Sequence, residues 1–404
     1  MPHMEAVTKS IMEDNRGRDP ERLALKLRVL RSNPFAFFRG NAPLYYRTLD
    51  LPKSLTAAPK VLACGDLHLE NFGSYKGDNR LVYFDLNDFD ESCVAPLTYE
   101  VVRFLSSIFV AAKSLKIAKK DTELLAVAFL ERYCEALATT KPRWVERATA
   151  TGPVKELLQS VRLRHRIDLV RRRTEVRKGK IRLIVDNAHA LKALDADRAK
   201  AESILSAYAS TQPDPAQFQP IDIARRIAGC GSLGLERYVV LVRGSGTDEG
   251  RFLMDIKRAA PSSLAAVLKT SQPAWRSDAE RVAWLQRVGQ AIPPALLGAV
   301  GAATRSYVIK ELQPTADRIH LESLVTQKRA LGDVVRAMAE VAAWAQLRGA
   351  ARFGADTADA LAQFALKAGW RKDVLQAARD ATARTLQQWQ EFSSDPDHGA
   401  GQTP

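Results

Sequence analysis

The 404-residue sequence lacks the usual features of a secreted, zinc-binding or membrane-spanning protein. Its four cysteines form no C-x-x-C pair and its six histidines form no H-E-x-x-H motif, which argues against a zinc site. The N-terminal stretch has no apolar signal-peptide core, and no run reaches the roughly 18 apolar residues that a membrane helix needs. We therefore expect a cytoplasmic protein without a membrane span.

The composition is that of a folded chain with an excess of basic residues. Hydrophobic residues make up 46% and charged residues 26%, and the length allows a large core divided between two lobes. Sixty Lys and Arg against 46 Asp and Glu give a net charge of +14. This excess suggests an anionic ligand or partner, although many basic proteins bind nothing acidic.

Hydrophobic periodicity predicts an α+β protein. A helix is predicted over residues 20–32, and helical spacing dominates from about residue 97 to 178. Two short β-rich runs, at residues 60–64 and 80–86, flank an acidic loop. From near residue 220 the pattern predicts three strands joined by glycine-containing turns, and then a helix, a strand and two more helices. The predicted regions are 1–215 with the N-terminal helix and a helical lobe, 216–315 with a β-rich lobe, 316–395 with C-terminal helices, and 396–404 with a polar tail.

The acidic loop lies in the stretch ACGDLHLENFGSYKGDNRLVYFDLNDFDES, residues 63–92. Asp66 and Asn71 are five residues apart, and Asp85 follows Asn71 by fourteen. Phosphoryl transfer from ATP needs a carboxylate that orients the attacking hydroxyl, together with an asparagine and a second carboxylate as oxygen ligands of magnesium. Asp88 is an alternative to Asp85 as the metal ligand. Turn formation is the competing interpretation of these residues.

The motif GDLHLEN, followed by a strand and FDLND, resembles the catalytic and metal-binding loops of aminoglycoside and choline phosphotransferases, members of the protein-kinase-like superfamily. The resemblance implies a catalytic aspartate at Asp66, a catalytic-loop histidine at His68, and metal ligands at Asn71 and Asp85. The continuation APLTYEVVRFL resembles a helix start of these enzymes, with Glu100 in place of their aspartate. Cys64 departs from the pattern, since those enzymes usually carry histidine there.

A second motif, G-x-G-x-x-G with Gly229, Gly231, Ser232 and Gly234, is followed by a β run rather than by a helix. It therefore resembles the glycine-rich loop that covers ATP phosphates in kinases more than a dinucleotide-binding turn. Lys257, in the third β run, is the candidate phosphate-binding lysine, with Glu280 as its candidate partner. The strand that follows resembles the one entering the hinge whose backbone binds adenine, at Lys310, Glu311 and Leu312.

These motifs stand in an unusual order, because the catalytic loop precedes the glycine loop. A circular permutation would restore the usual order, with the helix at residues 334–349 joined to the segment before Lys60. The same order resembles the bacterial domain of unknown function 2252 family, from about Asn33 to Phe364. The resemblance implies a two-lobed, protein-kinase-like α+β fold in circularly permuted order.

The expected function is transfer of the γ-phosphoryl group of ATP, with magnesium, to an unidentified hydroxyl acceptor, either a small molecule or a protein. AMP transfer on the same fold and a catalytically silent ATP-binding regulator are the alternatives. Nucleic-acid binding is disfavoured because no recognition motif is found. The basic segment at residues 162–180 is either a solvated helix face or a binding site for an acidic or phosphorylated substrate.

Overall fold

The computed structural model describes residues 2–302, 305–314 and 318–395. Across these ranges the chain forms fifteen α-helices and thirteen β-strands, which agrees with the predicted α+β class. The predicted polar tail at 396–404 lies outside the described residues. No helix in the described ranges is both long and apolar enough to cross a membrane.

The helices lie mainly before residue 210 and after residue 320. They are α1 (Pro2–Asp14), α2 (Pro20–Ser32), α3 (Pro34–Gly40), α4 (Ala42–Thr48), α5 (Lys53–Thr56), α6 (Leu97–Ser114), α7 (Lys119–Ala138), α8 (Gly152–Arg162), α9 (Arg166–Arg173), α10 (Asp195–Ala209), α11 (Ser263–Val267), α12 (Asp278–Gly289), α13 (Lys328–Arg348), α14 (Ala358–Leu366) and α15 (Gly369–Ser394).

The strands form one large sheet and three small ones. They are β1 (Lys60–Ala63), β2 (Phe72–Lys76), β3 (Val82–Leu86), β4 (Cys93–Pro96), β5 (Val145–Glu146), β6 (Thr174–Arg177), β7 (Lys180–Leu183), β8 (Ala190–Lys192), β9 (Pro220–Arg226), β10 (Arg237–Val242), β11 (Phe252–Arg258), β12 (Gly298–Ala302) and β13 (Arg305–Glu311).

The large sheet has the strand order β12-β13-β11-β10-β9-β8, and every neighbouring pair is antiparallel. Its strands β9, β10 and β11 are the three that the sequence predicts. Side chains alternate between the two faces, so Tyr238 and Val240 pack in a core with α10, while Val239 and Leu241 pack on the opposite face with Val170 of α9. Apolar residues on both faces therefore bury the sheet, with α10 on one face and α9 and β7 on the other.

The main hydrophobic core lies in the helical part, where α6, α7, α13, α14 and α15 pack together. Phe104 of α6 stacks on Phe129 of α7 with ring centroids 3.9 Å apart. The predicted helical region begins at α6 as expected, and α9 is followed by the β6–β7 hairpin from residue 174. The core fixes α6 and α13, the two helices that support the loop after β1.

The two β-rich runs around the acidic loop do form strands, β1 and β3, but they do not pair with each other. β1 pairs with β4, and β3 pairs with β2 and β5. The strands β2 and β4 were not predicted because both are short and contain glycine or proline. The acidic loop is consequently divided into two loops, one after β1 and one after β3.

Helix α2 covers the predicted range, residues 20–32. Asp19 caps it by accepting a hydrogen bond from the amide of Arg22 at 2.9 Å, and Pro20 occupies the first turn. At the other end of the chain, the segment after α13 lies beside β1. The amide of Asp356 donates to the Lys60 carbonyl at 2.8 Å, and the Lys60 amide donates to the Asp356 carboxylate at 2.7 Å.

Candidate functional site

A cleft of about 220 Å³ lies between the large sheet and the helical part. It is lined by residues from five parts of the chain: 18–43, 66–91, 226–261, 282–286 and 308–318. The predicted residues that line it are Asp66, His68, Asn71, Asp88, Gly229, Gly231, Ser232, Lys257 and Lys310. The predicted residues that do not line the cleft are Asp85, Gly234, Glu280, Glu311 and Leu312.

The loop after β1 is fixed at Gly65. This residue has a φ of +82°, and an added Cβ would lie 1.9 Å from the carbonyl oxygen of Glu91, so only glycine fits. Its amide donates to Oε1 of Glu100 at 3.0 Å, and Oε2 of Glu100 accepts from Gln346 at 2.8 Å. Glu100 therefore holds the loop against α13.

Asp66 follows directly and is held by a buried arginine. Nε of Arg103 donates to Oδ1 of Asp66 at 2.5 Å, and Nη2 donates to the carbonyl of Phe38 at 3.1 Å. The Arg103 guanidinium also lies 4.2 Å from the ring centroid of Phe38. Burial raises the pKa of Asp66, and the charge of Arg103 opposes this rise. One carboxylate oxygen is thus fixed, while Oδ2 lies 3.9 Å from Nε2 of His68.

His68 is a neutral side chain in this environment. Burial lowers its pKa well below the usual value, and Arg39 and Arg103 lower it further. Its Nδ1 accepts a hydrogen bond from the amide of Glu70 at 3.1 Å, which places the single ring proton on Nε2. His68 therefore acts as a hydrogen-bond donor toward the cleft and not as a proton acceptor.

Asn71 joins the loop after β1 to the loop after β3. Its Nδ2 donates to the carbonyls of Asp66 at 2.9 Å and of Asp88 at 3.1 Å. Its Oδ1 accepts from the amide of Asp88 at 2.8 Å. A carbonyl oxygen has two lone pairs, so Oδ1 keeps the capacity to ligate a cation while it positions both loops.

Asp88 and Asp90 face Lys257 across the cleft. Nζ of Lys257 contacts the carboxylate of Asp90 and lies 3.9 Å from Oδ2 of Asp88. Partial desolvation at the cleft wall opposes the ionisation of Asp88, but Lys257 and Lys310 outweigh it and lower its pKa. Burial and the neighbouring Asp88 raise the pKa of Asp90. The Asp88 side chain is 57% exposed, so its carboxylate is accessible to a ligand.

Asn71, Asp88 and Asp90, which all line the cleft, carry oxygen donors of the kind that magnesium takes together with water and phosphate oxygens. No group of three or more His, Cys, Asp or Glu side chains in the described ranges is arranged to hold a metal by itself. Magnesium bound with phosphates needs only one or two protein carboxylates. The donor set is therefore suited to a metal that arrives with a phosphate ligand.

Asp85 lies outside the cleft, inside β3. Its Oδ1 accepts from the amide of Leu86 at 2.8 Å, and its Oδ2 accepts from the amide of Ala291 at 3.0 Å and from Arg348 at 3.2 Å. Burial raises its pKa, and Arg348 opposes this. Through these contacts Asp85 connects β3 to α13 and to the segment after α12.

The glycine loop connects β9 to β10, and residues near the N-terminus hold it. Arg18 donates to the carbonyls of Gly231 at 2.6 Å and Leu233 at 2.7 Å. Lys26 donates to the same Gly231 carbonyl at 2.9 Å, and the amide of Asp19 donates to the carbonyl of Gly234 at 2.9 Å. Within the described ranges, none of the amides from residue 229 to 234 donates a hydrogen bond to another backbone group. The loop is therefore held through its carbonyls, and its amides have no backbone partner within the described residues.

Arg18 and Lys26 both line the cleft, and the sequence analysis missed them. Burial lowers the pKa of Lys26 to about 7. One feature of the sequence could have identified Lys26, because Arg22, Lys26 and Leu30 are spaced four residues apart and share the buried face of α2. A lysine on that face indicates a polar partner inside the protein.

The cleft end of the sheet carries a charged cluster. Asp255 of β11 accepts from Arg237 at 2.6 Å and from Arg226 at 2.5 Å, and both arginines hold its pKa well below its usual range despite burial. Lys310 of β13 lies opposite Asp255 in the strand register. Three basic side chains therefore accompany the single carboxylate of Asp255 at this end of the cleft.

The remaining predicted residues lie elsewhere. Glu280 pairs with Arg276 at 2.6 Å on an exposed surface and makes no contact with Lys257. Glu311 pairs with Arg166 at 2.8 Å on the far side of β13. Leu312 is buried, and its amide donates to the Leu253 carbonyl at 2.8 Å. Arg166 belongs to the basic segment 162–180, and none of that segment's residues is among the described residues that line the cleft.

The fold and the cleft define an α+β protein with a charged cleft between an antiparallel sheet and a helical core. A family described as "uncharacterized protein conserved in bacteria" (DUF2252) matches residues 18–395, and the chain belongs to this family. The match begins at Arg18 and so includes the residues that hold the glycine loop. Comparisons with curated proteins and with solved structures found no match.

Proposed function

We propose that this protein is a magnesium-dependent phosphotransferase that binds ATP in the cleft and transfers its γ-phosphoryl group to a hydroxyl acceptor. One observation carries the proposal. Asp66, Asn71, Asp88, Lys257 and the glycine-loop residues Gly229, Gly231 and Ser232, predicted from the separate segments 66–88 and 229–257, all line a single cleft. Turn formation alone gives no reason for these side chains to meet.

The arrangement of the sheet supports a kinase-like nucleotide lobe. The glycine loop joins the first two strands of the β9–β10–β11 unit, and the phosphate-binding lysine of kinases lies on the third strand, as Lys257 does. The amides of the loop are available for phosphate oxygens, and Lys257 lies close to the carboxylates that would hold magnesium. The expected lysine–glutamate pair is replaced here by Lys257 with Asp90.

The contact between the segment after α13 and β1 supports a circularly permuted order. Asp356 and Lys60 exchange two hydrogen bonds, so a chain that ran from α13 into β1 would need only a short connection. Joining these segments would place the glycine loop, Lys257 and α13 before Asp66, which is the usual kinase order. The permuted kinase-like fold is thus part of the proposal.

The proposed reaction uses side chains whose positions are described above. Oδ2 of Asp66 accepts the proton of the acceptor hydroxyl while Arg103 holds Oδ1. The hydroxyl oxygen forms a bond to the γ-phosphorus, and the bond from that phosphorus to the bridging oxygen of ADP breaks, so ADP leaves with the electron pair. The Nε2 proton of His68 is available to the acceptor or to Asp66. Magnesium, held by Asn71 and Asp88, would neutralise phosphate charge.

Thermal unfolding with and without MgATP tests nucleotide binding, because a ligand that binds only the folded state raises the midpoint. We expect a magnesium-dependent rise in the wild type and in Asp85→Asn, and its loss in Asp88→Asn. Asp66→Asn is expected to keep the rise but to form no product. The absence of any rise at saturating MgATP would refute the proposal. ADP as product indicates phosphoryl transfer, whereas pyrophosphate would indicate AMP transfer.

A further inference from the structure

Two arginines on the Asp66 side of the cleft share one carboxylate. Nη1 of Arg39 lies 2.6 Å from Oε2 of Glu70, and Nη1 of Arg318 lies 3.4 Å from the same oxygen. Nε of Arg39 is buried and has no hydrogen-bond partner within the described residues. Each guanidinium has five N–H donors, so a single carboxylate oxygen leaves most of them unused.

Both arginines contact the loop after β1 through Glu70, although the backbone carbonyl of Arg39 also lies beside Gly231 of the glycine loop. The Arg39 guanidinium lies 5.6 Å from the ring centroid of Phe35, and that ring packs edge-on against His68. Glu70 lies four residues after Asp66 in the same loop. A group bound between Arg39 and Arg318 would therefore be next to the hydroxyl that Asp66 activates.

Apart from Lys310, for which no ion pair is found among the described residues, the other cations of the cleft have partners. Lys257 faces Asp88 and Asp90, and Arg226 and Arg237 share Asp255. Arg18 and Lys26 donate to glycine-loop carbonyls, and Arg103 donates to Asp66. Arg39 and Arg318 together exceed their carboxylate by one positive charge. Because Glu70 is 29% exposed, it can turn toward solvent when an anion replaces it.

We infer that Arg39 and Arg318 bind an anionic group, a phosphate or a carboxylate, of the hydroxyl acceptor. The inference rests on the proposed function, because it names the acceptor class of the same site. Paired guanidinium forks match the oxygens of both anions. The acceptor is accordingly a small hydroxyl compound with a negative charge near the reacting oxygen, such as a hydroxy acid or a polyol phosphate.

Binding to the full chain, saturated with a non-hydrolysable ATP analogue and magnesium, tests the inference. The probes are glycerol 3-phosphate, glycerate, inorganic phosphate and glycerol, measured by calorimetry. We expect the anionic probes to bind and glycerol not to bind. Arg39→Met should weaken anion binding roughly tenfold or more, since it removes charge-assisted hydrogen bonds. The relative strength of the phosphate and carboxylate probes identifies which anion the site prefers.

Two further variants control for misfolding of Arg39→Met and for effects of removing any arginine. Arg318→Met alters a half-exposed side chain and so supports the result if Arg39→Met fails to fold. Arg276→Met, at an exposed arginine outside the cleft, should bind every probe as the wild type does. Anion binding that is unchanged in both cleft variants, or absent in the wild type, would overturn the inference.

The ATP analogue separates this inference from the proposed function. If the wild type binds the analogue but no anionic probe, the acceptor assignment fails and the nucleotide site stands. If the wild type binds no analogue, the phosphotransferase proposal fails. If Arg39→Met weakens the analogue as strongly as the anions, Arg39 holds the nucleotide and the acceptor assignment is wrong.

Discussion

Lys257 Nζ lies 3.9 Å from Oδ2 of Asp88 and contacts Asp90, which links the sheet to the loop after β3. Kinases use a lysine to bind phosphates and an aspartate to bind magnesium, and the proposed function gives these roles to Lys257 and Asp88. In this structure the two groups neutralise each other directly. Magnesium and triphosphate would thus have to insert between charges that already attract, and binding of each should depend on the other.

Replacing Lys257 should weaken MgATP binding strongly. Lys257→Met removes the positive charge that faces Asp88 and the proposed phosphate site. Loss of a hydrogen bond to a charged group costs about 1.5–3 kcal/mol, which corresponds to a rise in Kd of roughly 10- to 100-fold. Calorimetric titration with MgATP measures this change. The exposed Lys269→Met serves as the control, and equal affinities of the two variants would contradict the assignment of Lys257.

Removing Arg103 should destabilise the whole protein. The side chain is fully buried and neutralises Asp66, so Arg103→Met leaves a buried carboxylate without its cation. Such a loss typically costs about 3–5 kcal/mol in the free energy of unfolding. Urea denaturation measures the cost. Arg379→Met breaks a partly exposed pair with Glu123 and should cost at most about 1 kcal/mol, so a similar loss in both variants would be unexpected.

Glu91 should make stability depend on pH. Its pKa is raised from 4.5 to about 7, mainly by burial, although Ser263 donates two hydrogen bonds to its carboxylate. Between these values the folded state holds a proton that the unfolded state has lost. The free energy of unfolding therefore falls as the pH rises from 4.5 to 7, by up to about 3 kcal/mol at 1.36 kcal/mol per pKa unit.

Glu91→Gln cannot titrate but keeps an oxygen that accepts from Ser263. We expect its unfolding free energy to decline less than that of the wild type between pH 4.5 and 7, as denaturation at several pH values would show. The exposed Glu156→Gln should retain the wild-type decline. A Glu91→Gln profile that parallels the wild type would mean that this carboxyl titrates normally in the folded state.

The contacts of Arg18 and Lys26 should determine how rigid the glycine loop is. Replacing both with methionine removes three hydrogen bonds to the carbonyls of Gly231 and Leu233. Amide hydrogen exchange at residues 229–234 should then become faster, and MgATP binding several-fold weaker. Arg16→Met, at an exposed position just before Arg18, is the matched control. Unchanged exchange in the double variant would show that the loop is held by β9 and β10 alone.

Local patterns predicted much of the site because the relevant groups are close in the chain. The spacing of Asp66 and Asn71 requires only one loop, and Asn71 Nδ2 does reach the Asp66 carbonyl. Likewise, the two strands around the glycine motif could be predicted from local sequence, because β9 and β10 are consecutive strands that pair antiparallel with each other. The predicted kinase-like function stays a prediction.

The parts of the site that local patterns did not predict depend on strand alternation and on contacts between residues far apart in the chain. Neighbouring strand residues point to opposite faces, so with Lys310 in the cleft, Glu311 faces away toward Arg166. Asp85 lies within β3 between two buried residues, whereas Asp88 lies past its end, where the backbone turns into the cleft. Arg103 and Arg39 were not predicted because they reach the site through tertiary contacts, which no local motif indicates.

The contacts that hold the loops after β1 and β3 in place also determine when, during synthesis, these loops can complete their folding. Glu100 needs Gln346 and Asp85 needs Arg348, partners that lie 246 and 263 residues later in the chain. At roughly 5–20 residues per second, a ribosome would take on the order of 12–50 s to make the 246 residues that separate Glu100 from Gln346. Through that interval the loops after β1 and β3 lack the contacts with α13 that hold them in the folded protein. A nascent chain should consequently acquire its site late, when α13 emerges and docks.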